Sequence, residues 1–567
     1  MRIYKIITFT ISVFLIIISC SQDNDTYIDN SKISITNYDS QTVENLAVLC
    51  KVWGFLKYYH PEVAKGKYNW DFELFKVMPS ILKSKSDANR NKILYKWIRA
   101  LGEIEQSGEN AKFDPDSVKI YPDLKWIEDK TLLGDKLANE LDRIKNAKRE
   151  DSHHYVEFAL CPLFKKEMAY DNLSFPDVGY RLLALYRYWN IIQYYFPYRY
   201  LIENWHGVLH QFIPQFINAS DELEYQLALL RLITRINDTH AKIGGSRSQI
   251  ISNFKGENIV PVRIQFIEER PVVVEHFSSH YKIPLKIGDI LLSVNNIPID
   301  SIIKSKRNYI PASNEPSFLR NVAYELLRTN SDKLLVEYEQ DNKIYRDTLA
   351  CYPVKTIGIG YISQRPQPLV KTLNTNITYL YLGSTLGGEI PNIKTKNLII
   401  DLRCYPSGGV KGYWEFEQLY PQSVPFATPT YGSIIYPGMF IFNSPEKTEY
   451  NASNYFRGKT VVLINEISQS ASEFLAMKYR SAPNVTLVGS VTAGADGNAS
   501  QIPLPGGIYT IISGVGIYYP DGTETQQVGI VPDIEVKPTI TGIIEGRDEV
   551  LEKAIEFLSS KKGNINE

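Results

Sequence analysis

The chain has 567 residues, of which 44% are hydrophobic and 22% charged, with a formal net charge of -1. That length gives room for about three or four domains with ample cores. Near-neutral charge without a long basic run argues against nucleic acid as a partner.

At the N-terminus, Arg2 and Lys5 precede an apolar run from Ile6 to Ile18, too short to span a bilayer. The run ends at Ile17-Ile18-Ser19-Cys20 and reads as a signal peptide. It resembles a bacterial lipoprotein signal, which implies removal of residues 1–19 and a lipidated Cys20, with 20–41 as a polar tether. On that reading the protein is lipid-anchored in the cell envelope, periplasmic or at the cell surface, and the anchor is its only membrane contact. The remaining cysteines, Cys50, Cys161, Cys351 and Cys404, are far apart and form no Cys-x-x-Cys pair. They argue against a metal site or a dense disulfide framework.

Residues 42–250 are expected to be helical, with an internal duplication. Leu46, Leu49, Trp53 and Leu56 fall on one helical face, and Lys51 to Pro61 recurs as Arg187 to Pro197, each copy ending in a proline after paired tyrosines. The charged stretch from Asp135 to Asp151 is read as a helix or linker between the copies. His206 and His210 share a helical spacing, but no glutamate follows His206 and no third ligand is evident, so no metal is assigned. A further apolar helical stretch ends in the polar turn Asn237-Asp238-Thr239-His240, which is suited to holding an imidazole at a domain edge.

A compact β-rich segment follows at 256–354. Its Leu285-Lys286-Ile287-Gly288-Asp289-Ile290-Leu291-Leu292-Ser293-Val294-Asn295 run resembles the turn-and-strand signature of PDZ domains, which implies capture of an extended peptide by strand addition. From 355 to 567, short strands alternate with helices: Ile377 to Leu382, Asn397 to Leu402, Lys459 to Ile464, a helix over Ser470 to Arg480, and Val485 to Gly489. Such alternation favours parallel pairing through right-handed crossovers.

Ser470 stands where the strand Thr460 to Ile464 gives way to that helix. A serine there meets unpaired backbone N–H groups and the positive end of the helix dipole. Ser470-x-x-Glu473 is also a capping box. The run Ser470-Ala471-Ser472-Glu473, with Val488-Gly489, Thr492-Ala493-Gly494, Asp401-Leu402-Arg403 and Gly529-Ile530-Val531-Pro532-Asp533, resembles the C-terminal-processing and tricorn-core serine peptidases. The resemblance implies a multidomain α+β protein: a helical region, a PDZ-like β domain and a crotonase-like α/β peptidase domain.

It also implies the roles. Ser470 is the nucleophile, and the N–H groups of Ala471 and Gly408 form the oxyanion hole, Gly408 lying in the Asp401 to Gly409 loop. The processing branch keeps a lysine after Thr-x-Gly, but Ala495 and Asp496 stand there. His240 is therefore the expected base, in a turn resembling the tricorn-core branch, with Thr239 at the place of a supporting serine. A tetrad glutamate aligns with Gln526, and Glu524, two residues earlier on an expected strand, is the better carboxylate. No metal or organic cofactor is required. Substrates are peptides or unfolded proteins, and Ala471, where the tricorn core has an aspartate, implies no preference for Lys or Arg before the scissile bond. The Ala495 and Gln526 departures motivate one alternative on the same fold, an inactive protein that binds peptides or apolar ligands; a further alternative is an esterase using the same nucleophile.

Overall fold

The computed structural model describes residues 26–107, 114–278, 280–357 and 364–560. Cys20 and the signal segment expected at 1–19 lie outside the described residues. Among the described residues, no helix is long and apolar enough to cross a membrane.

Helix α1 (Ser40–Tyr59) begins where the Asp39 side chain accepts the Thr42 N–H and ends at His60, because a residue before proline is pushed out of the helical region. It is followed by α2 (Trp70–Leu82), strand β1 (Val118–Ile120), α3 (Val178–Tyr195), α4 (Trp205–Asn218) and α5 (Glu222–Thr234). The charged stretch after Asp135 is helical through Lys145.

The sequence duplication is a duplicated helical hairpin. In the first copy, Trp53 and Trp70 each donate an indole N–H to the other's carbonyl, at 3.0 Å both ways. In the second copy, Trp189 and Trp205 make the same exchange at 3.1 and 3.3 Å. The two copies meet at equivalent positions. Gly54 of α1 abuts Asn190 of α3, and any Cβ at Gly54 would collide with the Asn190 amide. That amide donates to the Cys50 carbonyl at 3.0 Å. Tyr58 and Tyr194, also equivalent, meet ring to ring at 5.4 Å. Helices crossing at matched residues bury both aromatic stripes in one core, so the repeat is a packing device.

A buried ion cluster joins this core to the loops around it. Glu167 lies 2.5 Å from the Lys57 ammonium and 2.8 Å from Arg187 Nε, while Arg187 also reaches Asp71 at 2.7 Å. Arg187 further donates to the Pro503 carbonyl at 2.8 Å, tying the helices to the C-terminal region.

The middle unit carries β2 (Val262–Ile267), β3 (Arg270–His276), β4 (Ile290–Val294), helix α6 (Glu315–Ala323), β5 (Lys333–Gln340) and β6 (Lys343–Ala350). Its antiparallel sheet runs β6-β5-β4-β3-β2, leaving β2 as an edge alongside α6.

The C-terminal region is built on β7 (Val370–Asn374), β8 (Ile377–Tyr381), β9 (Asn397–Asp401), β10 (Pro425–Gly432), β11 (Phe440–Phe442), β12 (Lys459–Ile464), helix α7 (Ala471–Arg480), β13 (Val485–Gly489), β14 (Ala499–Leu504), β15 (Ile508–Ser513), β16 (Gly516–Tyr518), β17 (Ile534–Glu535) and helix α8 (Glu549–Ser559). Its main sheet, β7-β8-β9-β12-β13-β17, is parallel except for the edge strand β7. Strands β8, β9 and β12 are almost wholly buried, as continuous apolar runs covered on both faces must be.

The division expected at 355 separates the chain but not the cores. Ile502, Leu504, Ile508, Ile512 and Tyr518 pack into the helical core. The strand Ile243–Gly245 extends the same β14–β15 hairpin by pairing with β15. Cys50, Cys161, Cys351 and Cys404 are buried free thiols.

Candidate active site

The turn between β12 and α7 delivers Ser470 as the helix N-cap. Ser470 adopts φ 54° and ψ -117°. A side chain with positive φ costs on the order of 1–3 kcal/mol, and such strain persists only where the surroundings impose it. Here they do. The Ser470 N–H donates to the Ala495 carbonyl at 3.0 Å and to Glu473 Oε2 at 3.1 Å. Ser468 and Ser472, on either side, donate to the Leu402 and Cys404 carbonyls at 2.6 and 2.5 Å, pinning the turn to the end of β9.

Glu473 is more than the second half of a capping box. Its fully buried carboxylate also accepts the Thr492 hydroxyl at 2.5 Å, the Gly494 N–H at 2.8 Å and the Ala495 N–H at 3.0 Å. Burial pushes its carboxyl up, and these donors oppose the shift without cancelling it. One acid thereby holds together the serine turn and the 492–495 loop.

His240 sits in the loop after α5. Its Nδ1 is 2.9 Å from Ser513 Oγ and 3.5 Å from Asp238 Oδ1. Asp238 is fully buried. It accepts the His240 N–H at 3.0 Å, the Ser513 N–H at 2.6 Å and the Ser513 hydroxyl at 3.1 Å. Burial alone would raise its carboxyl, but the bond and charge of His240 and the Ser513 N–H hold it below the usual carboxylate value. With Nδ1 engaged, Nε2 is the nitrogen left for chemistry. Ser470 and His240 share no hydrogen bond, and the 493–495 backbone bridges them: Thr239 Oγ1 donates to the Ala493 carbonyl at 3.4 Å, two residues from the Ser470 acceptor Ala495.

On the other side of Ser470, Ala471 opens α7, so its N–H has no partner within the helix. The Gly408 N–H likewise makes no hydrogen bond among the described residues. Residues 388–536, which span this loop, Ser470 and the Gly529 to Asp533 run, match peptidase family S41. The chain contains an S41 peptidase domain. Such a domain is that of a serine-type peptidase, a hydrolase acting on peptides or proteins.

No curated protein matches the chain. Among solved structures, mature CPAF is similar to it at 14% identity and TM-score 0.53, over 69% of this chain and 99% of its own. A mature CPAF complex with lactacystin is similar at 13% identity and TM-score 0.52, over 67% of this chain and 98% of that one. At such identity the likeness speaks for the fold.

The two residues expected to support His240 are engaged elsewhere. Thr239 makes no hydrogen bond with the imidazole. Its hydroxyl accepts the Ser313 N–H at 2.8 Å and lies 3.2 Å from Ser317 Oγ, which ties the histidine loop to the start of α6. Glu524 makes no hydrogen bond with His240. It is ion-paired with Lys119 at 2.8 Å and accepts the Tyr200 hydroxyl at 2.6 Å. Glu524 forms an isolated antiparallel bridge with Tyr518, its carboxylate is taken by Lys119 and Tyr200, and the chain turns only from Gln526, with Gln527 at φ 64°. Gln526 is buried there, and its amide has no hydrogen-bond partner among the described residues. The groups that do hold His240 are Asp238 and Ser513. Asp238 could have been found two residues before the histidine, whereas nothing in the sequence points to Ser513. Where the processing branch has its lysine, Ala495 is buried, and the neighbouring Asp496 carboxyl is driven well above its ordinary range by burial and by Glu473.

A groove of about 660 Å³ runs between the edge strand β2 and helix α6 and ends on the serine turn, with Ile264, Phe266, Leu319, Arg320, Glu466 and Ile467 on its walls. Arg320 donates to the Glu466 carbonyl at 2.7 Å and to Gln469 Oε1 at 3.1 Å, so one wall of the groove holds the loop that leads to Ser470.

Proposed function

We propose that this protein is an exported, lipid-anchored serine peptidase. Ser470 attacks a peptide carbonyl, and His240 Nε2 takes the hydroxyl proton and later delivers it to the leaving amine. The observation that carries the reading is the forced backbone of Ser470 at the N-terminus of α7 inside the S41 domain. A serine at this helix start would have the Ala471 N–H beside it, and that N–H and the Gly408 N–H would bind the oxyanion. Asp238 and Ser513 would fix the histidine tautomer and stabilise the imidazolium. The fold is read as crotonase-like and the middle unit as PDZ-like. A peptide or unfolded segment would add a strand to β2 in the groove and be led toward the serine turn. The small Ala471 beside the nucleophile fits no preference for Lys or Arg.

Because Ser470 and His240 are not hydrogen-bonded, a closing movement must join them, and catalytic hydrogen bonds commonly tighten only with substrate bound. The same gap favours one other reading, an inactive peptide-binding protein on this fold. Fluorophosphonate labelling of the purified protein separates the two. Labelling at Ser470, located by mass spectrometry and lost in Ser470→Ala and His240→Ala, supports the peptidase. No labelling, with or without added peptide, supports the binding protein.

A further inference from the structure

The Glu524 contacts that displace it from the catalytic set describe a site of their own. Strand β1 crosses from the helical region to the C-terminal region and pairs antiparallel with β11, Val118 opposite Ile441 and Ile120 opposite Phe440. The register shifts between those pairs, and such an irregularity re-aims the side chain it carries, here Lys119. The Lys119 ammonium lies 4.6 Å from the Tyr518 ring centre, 5.3 Å from that of Tyr200 and 5.9 Å from that of Phe442. Glu524 Oε1 is 2.8 Å away. The Tyr200 hydroxyl donates to that same carboxylate oxygen at 2.6 Å and lies 3.3 Å from the Tyr518 hydroxyl. Aromatic faces gathered round one cation, closed by a carboxylate, are the chemistry that selects alkylammonium groups.

The far end of the segment is fastened to the helices. Asp123 lies 3.2 Å from Arg199 and 2.8 Å from His206 Nε2, and its carbonyl accepts from Gln193 at 3.2 Å. A strand this short cannot hold its place by backbone pairing alone.

We propose that Tyr200, Phe442, Tyr518 and Glu524 form a recognition site for the lysine side chain of an extended strand, and that the chain fills it with its own Lys119. Residues 118–124 are then a docked strap that can be exchanged for another basic strand. The site bears on Ser470 through its carboxylate. Glu524 is bridged to Tyr518 just before the 526–528 turn; next to it Thr525 Oγ1 donates to the Ile517 carbonyl at 2.6 Å, and within the turn the Gln527 N–H donates to the Gly494 carbonyl at 2.9 Å. Gly494 and Ala495 in turn hold Glu473. The lysine thus braces the loop behind the serine, a role independent of whether Ser470 is reactive.

The test uses the full chain. Hydrogen exchange is followed at 118–120 and 440–442 in wild type, Lys119→Ala and Lys119→Met, the last keeping the apolar stem. A fluorescent peptide with the sequence of residues 116–123, and the same peptide with norleucine for lysine, are titrated by anisotropy. Loss of the ammonium is expected to speed exchange at both strands by about tenfold in both variants. The lysine peptide should bind Lys119→Ala and not wild type, with the norleucine peptide about tenfold weaker and Glu524→Gln in the Lys119→Ala background weakening binding equally. Unchanged exchange in both variants overturns the proposal. So does equal binding of the two peptides, or failure of the lysine peptide to bind a variant whose strap exchange shows release.

Discussion

His240 Nδ1 is held 2.9 Å from the hydroxyl of Ser513, a residue 273 positions later in the chain, and both are anchored on the buried carboxylate of Asp238. The helical region therefore supplies the histidine, and the S41 domain supplies the hydroxyl that orients it. Replacing His240 by Ala is expected to slow fluorophosphonate labelling of Ser470 by about 100-fold or more, the usual contribution of a positioned base. Ser513→Ala keeps the imidazole but frees its orientation, with an expected loss of about tenfold, read from labelling rates across pH.

Glu473 takes hydrogen bonds from Ser470, Thr492, Gly494 and Ala495. Glutamine has the same shape but offers one acceptor oxygen, and its NH2 would face donors. Glu473→Gln is expected to lose about 1–3 kcal/mol in denaturant unfolding and to label more slowly at Ser470. Thr492→Val removes one donor and should cost less, about 1 kcal/mol.

Glu167 neutralises two buried cations, Lys57 and Arg187. Glu167→Gln leaves an uncompensated charge in the helical core and is expected to cost about 3–5 kcal/mol, measured as a fall in the urea midpoint.

Gly54 must remain without a side chain where α1 crosses Asn190. Gly54→Ala improves helix propensity yet is expected to destabilise by about 1–3 kcal/mol, because the crossing cannot open without unpacking both copies of the hairpin. Pairing it with Asn190→Gly should restore part of the loss, and thermal melts of the single and double variants check this.

Asp123 is held at about 2, below the ordinary 3.8, chiefly by its hydrogen bond from His206 against the opposing effect of burial. A depressed carboxyl stabilises the fold above its unfolded pKa, and the contribution fades as pH falls through the folded value. Wild type should exceed Asp123→Asn by about 1–2 kcal/mol above roughly pH 4, allowing for partial exposure, and the gap should close toward about pH 2. Melting curves across that window check it.

The sequence by itself determined the local pieces. The β-branched run Thr460 to Ile464 can bury both faces only as an inner strand, and it is β12; the Ser-x-x-Glu signature places Ser470 at the cap of α7. The repeated Trp and Tyr-Tyr stretches are legible because a helix must bury whatever apolar stripe it carries. Tertiary structure decided which distant groups meet. Ser513 reaches His240 only because β15 pairs with the strand that follows the histidine loop. Glu524 is bridged to Tyr518 beside strand β1, and that pairing hands its carboxylate to Lys119 and Tyr200. Spacing along a chain fixes faces within one element, whereas contacts between elements depend on crossings and turns whose geometry is set by packing.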